Sequence, residues 1–83
     1  MNIYTIKNTI TKLDIKPIEK AQLICYFAVM FTNLKVIEIA KEINRKHSTV
    51  IYSRRVVINR KQFDRDYFNK IETIKQKLTE IPF

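Results

Sequence analysis

Val36-Ile37-Glu38-Ile39-Ala40-Lys41-Glu42-Ile43, then Asn44-Arg45-Lys46, then His47-Ser48-Thr49-Val50-Ile51-Tyr52-Ser53, is the stretch whose reading decides the fold. Val36, Ile39, Ala40 and Ile43 recur at helical spacing and mark one face of a short helix. Asn44 is the expected stop, since asparagine is the residue besides glycine that best tolerates the left-handed backbone after a helix. The 83-residue chain contains no glycine at all, so the turn has to be made by Asn44-Arg45-Lys46. A second helix is expected to begin at His47-Ser48-Thr49 and to reach about Asn59, a hydroxyl or the imidazole capping its free amides. Two short helices joined by three or four residues form a helix-turn-helix pattern.

The second helix divides cleanly. With Ser48 at zero angle and 100° per residue, Tyr52, Arg55 and Asn59 return to within about 40° of it. Val50, Ser53 and Val57 fall on the opposite side. One side is apolar or small and suits packing; the other is polar and suits a groove. Arg54 lies toward the packing side, where it is expected to run its stem along apolar surface.

Outward from this pair, the remaining segments also read as helices. Ile3, Ile6, Ile10 and Leu13 form a stripe on a first helix, and Pro17 fits the opening turn of a second that runs to about Thr32. Leu23, Phe27, Met30 and Phe31 form its core stripe, widened by Ile24, Tyr26 and Ala28, so this is the expected central buried helix. A last helix is expected from Asp64 or Asp66, with Tyr67, Ile71, Ile74 and Leu78 inward, and Pro82 ends regular structure. The sum is an all-α single domain, a small bundle of about five helices containing a helix-turn-helix. Residues 1–16 are an N-terminal helix and linker.

Composition excludes several chemistries. Without glycine there is no phosphate-cradling loop, dinucleotide fingerprint or nucleophile elbow, and no partner nucleotide is expected. One cysteine, Cys25, and one histidine, His47, exclude a disulfide framework and the usual zinc sets; no metal or cofactor is expected. Cys25 sits in the most apolar segment and reads as a buried small hydrophobe. Asp64 and Asp66 lack partners for acid–base work, and His47-Ser48 has no third group, so the chain is not expected to be an enzyme. No signal peptide is read at the start, and the longest apolar run, Leu23 to Phe31, is too short to span a membrane. A cytoplasmic, nucleoid-associated protein is the expectation.

The net charge of +8 is uneven. Residues 1–40 carry +2 and residues 41–83 carry +6, with every arginine in the second part. Lys41–Lys61 holds seven basic residues (Lys41, Arg45, Lys46, Arg54, Arg55, Arg60, Lys61) against Glu42 alone. A clustered basic segment rich in arginine is the footprint of a polyanion, since guanidinium matches phosphate and guanine edges bidentately. Arg60 and Lys61 read as a backbone-neutralising tail or a solvated linker.

Arg45-Lys46-His47-Ser48-Thr49-Val50-Ile51-Tyr52-Ser53 resembles the signature, roughly R-D-H-[ST]-T-V-[LI]-[HY]-[AS], of the C-terminal DNA-binding domain of the bacterial replication initiator DnaA, a Trp-repressor-like helix-turn-helix. Gln22, Thr32-Asn33 and Ile37-Glu38-Ile39-Ala40 fall where that family has a helix glutamine, a Thr-Asn pair and L-x-E-I-[GA]. The similarity covers about residues 17–80. It implies double-stranded DNA binding in replication or transcription regulation. His47 and Ser48 would reach base edges. Arg45 and Thr49 would contact backbone or base at the helix entry. Tyr52 would hold a phosphate, and Gln22 another, with Lys20 as a helper. With the polar face of the second helix added, Lys46 and Arg55 complete the candidate base-facing set.

Four departures accompany the resemblance. Lys46 stands where the family has aspartate, which alters the expected site preference because lysine cannot accept from a base amino group. Thr11–Lys16 carries no arginine where the family has a basic minor-groove loop, so affinity is expected to be lower. The turn is about one residue shorter than the family's. No ATPase domain is present in the chain, and origin melting is not expected of it. These departures motivate an alternative of a different class, a degenerate helix-turn-helix acting on a protein partner. The exposed side of Tyr4, Ile6 and Ile10, or the tail Ile81-Pro82-Phe83, could support a homodimer.

Overall fold

In the computed structural model, residues 1–80 are described, and they form five helices without a strand. These are α1 (Ile3–Thr11), α2 (Pro17–Phe31), α3 (Val36–Glu42), α4 (His47–Phe63) and α5 (Arg65–Thr79). The tail Ile81-Pro82-Phe83 lies outside the described residues.

Each helix begins and ends for a local reason. Asn2 accepts from the Tyr4 N–H to start α1, and Asp64 accepts from the Tyr67 N–H at 3.0 Å to start α5. Pro17 opens α2, where its missing N–H costs nothing. At the start of α3, the Lys35 N–H donates to the Glu38 carboxylate at 2.9 Å. α3 ends at Glu42, and Asn44 makes the expected stop just beyond it with a φ of 57°, the only positive value among the described residues. The Arg45 N–H then donates to the Ala40 carbonyl at 2.9 Å, and the Asn44 N–H to that of Lys41 at 3.2 Å. This is a Schellman closure made with asparagine in place of glycine.

α2 and α4 pack most extensively and form the spine of the bundle. Where they meet, α2 contributes the small Cys25 and Ala28, and α4 contributes Val50 and Ser53, all buried. Small side chains let the two helices approach closely. Ile39 and Ala40 of α3 and Ile3 of α1 close this half of the core. The other half joins Ile6, Ile10, Leu23, Phe27 and Val57 to Tyr67, Ile71, Ile74 and Leu78 of α5.

Several details depart from the sequence reading. α1 stops at Thr11, leaving Leu13 half-buried beyond it. Met30 is 43% exposed and does not belong to the core stripe, because the end of α2 turns that face outward. Ile6 and Ile10 are fully buried, so of the suggested dimer surface on α1 only Tyr4 is exposed. α4 runs to Phe63, one turn beyond Asn59, because Asp64 both ends it and caps α5. No described helix is long and apolar enough to cross a membrane.

Candidate nucleic-acid interface

The entry to α4 is unusual for what it lacks. Its N-cap is Lys46, whose side chain accepts no hydrogen bond, and no acidic residue occupies its first turn. The expected cap from His47, Ser48 or Thr49 does not form, because the helix already begins at His47 and places these residues inside its first turn. Thr49 and Val50 donate backward to the Lys46 carbonyl, which leaves the exposed His47 and Ser48 amides open. A helix N-terminus is the positive end of the helix dipole. Here it is preceded by Arg45 and Lys46, two further exposed cations. Like charges therefore converge at a point with no internal counter-charge.

Four of the nine residues expected at the site, Gln22, Arg45, Thr49 and Tyr52, line one groove, together with Pro17 and Ile18. The groove has a volume of about 530 Å³ and forms where the first turns of α2 and α4 lie side by side. Gln22 and Thr49 are half-buried in its wall, whereas Arg45 and Tyr52 are exposed. Tyr52 is 63% exposed, too open for a packing tyrosine. Ser48 and Arg55 lie on the outward face of α4, with His47 and Lys46 at its tip, all exposed.

The structure sorts the cations, which composition could not. Lys20 donates to the Thr11 carbonyl at 2.8 Å and so caps α1 rather than reaching freely into the groove. Lys7 likewise donates to the Glu42 carbonyl at the end of α3 at 3.0 Å. Arg60 lies 3.7 Å from Glu19 and 3.6 Å from Asp64, and its guanidinium sits 4.0 Å over the Tyr67 ring. Lys61 donates to the Tyr26 hydroxyl at 2.9 Å. Arg60 and Lys61 are thus neither a free tail nor a linker but the ties of α4 to α2 and α5. Lys41, Arg45, Lys46, Arg54 and Arg55, by contrast, pair with no carboxylate among the described residues.

No protein-family model, curated protein or solved structure matches this chain. The site therefore rests on its own chemistry.

Arg54, expected to run its stem along apolar surface, is exposed. One residue escaped the sequence reading. Ile51 is 44% exposed on the outward side, one turn after Ser48 and one turn before Arg55. Its apolar type suggests burial, and only the placement of α3 and α2 on the far side of α4 leaves it open. Two other groups are buried. Burial pushes the Cys25 thiol up from its ordinary range. Burial also pushes the Tyr67 phenol up to about 12, and its hydroxyl has no hydrogen-bond partner among the described residues.

Proposed function

We propose that this chain binds double-stranded DNA, with α4 as the recognition helix entering the major groove by its amino end and the adjoining groove against the backbone. The observation that carries the reading is the open N-terminus of α4. It is led by unpaired Arg45 and Lys46 and adjoins a groove that gathers Gln22, Thr49 and Tyr52. Such a concentration of positive charge is unfavourable on its own and becomes favourable against phosphate. Gln22, Arg45, Thr49 and Tyr52 hold register on the backbone, and Lys46, His47, Ser48 and Arg55 face base edges. The resemblance to the DnaA C-terminal domain supports the same assignment and suggests replication or transcription control at the nucleoid. Lys20, held on Thr11, contributes through its field rather than by direct contact.

Titration of a labelled duplex at low salt tests the reading. Saturable binding that weakens steeply with salt is expected; no binding at low salt refutes it. His47→Ala should weaken a preferred site more than random duplex.

The second reading, a protein-interaction module, draws on Phe63, 88% exposed at the corner between α4 and α5. Retention of one defined partner from nuclease-treated lysate, lost in Phe63→Ser, is the result that would favour it.

A further inference from the structure

Ile18 and Ile37 are more exposed, at 70% and 57%, but Ile51 is the isoleucine that opens onto the outward face of α4. It is β-branched, which lowers helix propensity, and nearly half of it faces water. An exposed helical position ordinarily gains nothing from isoleucine. On the same face Ser48 precedes it by one turn and Arg55 follows by one turn, with the exposed Tyr52 adjacent, its ring tipped by a hydroxyl. It also lies within the reach of the unpaired cations Arg54 and Arg55. A protein surface that approached this face would have to be acidic yet offer a small apolar spot. The major groove of DNA offers that combination: phosphates on both rims, and on its floor the C5-methyl group of thymine, the one apolar feature any base presents there.

We infer that Ile51 is a specificity-determining residue that reads a thymine methyl. The inference rests on the duplex-binding reading above. Along the axis of α4, Ile51 stands about 4.5 Å beyond Ser48 and about 6 Å before Arg55. Base pairs repeat every ~3.4 Å. The thymine therefore lies one to two base pairs from the base that Arg55 contacts. Arginine's bidentate partner is guanine, so the site contains a thymine and a guanine as near neighbours.

The test uses the full chain and a duplex selected from a random pool. Each thymine of the selected site is replaced in turn by deoxyuridine, which removes one methyl and leaves every hydrogen-bonding group in place. For the unaltered protein, one such replacement should weaken binding about three- to fivefold, the worth of one buried methyl. For Ile51→Ala the same replacement should change nothing, while its circular dichroism stays that of the parent. Ile51→Val should retain part of the discrimination. The inference is overturned if every deoxyuridine duplex binds the parent protein as well as the thymine duplex. It is equally overturned if the loss persists in Ile51→Ala, or if selection returns no preferred sequence. Failure to bind any duplex at low salt would instead overturn the DNA reading itself, and this inference with it.

Discussion

Replacing Arg45 and, separately, Arg60 by glutamine removes one positive charge in each case, yet the two should behave oppositely. Arg45 stands in the turn with no carboxylate partner, whereas Arg60 is held by Glu19, Asp64 and the Tyr67 ring. If the unpaired cations Arg45, Lys46, Arg54 and Arg55 each displace one phosphate counterion by their charge, Lys46 and Arg55 from within the groove, log affinity should fall against log salt with a slope of about −3.6. Between 50 and 200 mM salt that is a loss of about 150-fold. Arg45→Gln should reduce the slope to about −2.7, or a loss of about 40-fold over the same range. Arg60→Gln should leave the slope unchanged. It should instead lower stability by about 1 kcal/mol, since its ion pairs are half-exposed and worth only tenths each, and stacking on Tyr67 supplies most of the rest. A melting-temperature drop of roughly 4–8 °C follows for a domain of this size. Fluorescence anisotropy at five salt concentrations reads the slopes, and a thermal melt reads the stability. If Arg60→Gln flattens the slope as much as Arg45→Gln, the division between committed and free cations is wrong. A parent slope shallower than −1 refutes phosphate binding by this face.

Four further outcomes test the fold. Asn44→Gly should change stability by no more than ~0.5 kcal/mol, whereas Asn44→Ile, forced to a φ of 57°, should cost about 1–2 kcal/mol by chemical denaturation. Tyr67→Phe removes a buried hydroxyl with no partner among the described residues and should raise stability by about 1 kcal/mol. Because the Tyr67 phenol is pushed up to about 12, the folded state keeps its proton while the unfolded chain releases it at the ordinary value of 10.0. Its contribution is therefore intact below pH 10 and fades as pH rises toward 12; melts between pH 9 and 11 should show a decline that is shallower in Tyr67→Phe. Cys25, fully buried with its thiol pushed up, should react with a thiol reagent only as fast as the protein unfolds; prompt labelling of native protein would contradict its place between α2 and α4.

Much of this molecule was legible before any coordinates. Apolar spacing located all five helices, and the absence of glycine forced the α3–α4 turn onto Asn44, which does adopt the left-handed conformation. The split of α4 into a buried side (Val50, Ser53, Val57) and an open side (Ser48, Tyr52, Arg55) also followed from 100° steps alone. These properties are local: they depend on residues within one or two turns, or on the allowed dihedrals of a single residue. What remained hidden depends on which surfaces other helices cover and which distant groups they bring near. Arg60 and Arg54 are identical in type and six residues apart. Only the arrival of α2 and α5 gives Arg60 its partners Glu19, Asp64 and Tyr67, while Arg54 faces solvent. Lys20 likewise reads as a free cation until α1 is laid beside α2 and offers it the Thr11 carbonyl. Sequence by itself determined the helices, the turn and the total of positive charge. Tertiary structure alone decided which of those charges are already satisfied, because an ion pair or a carbonyl contact across helices is set by packing and not by spacing along the chain.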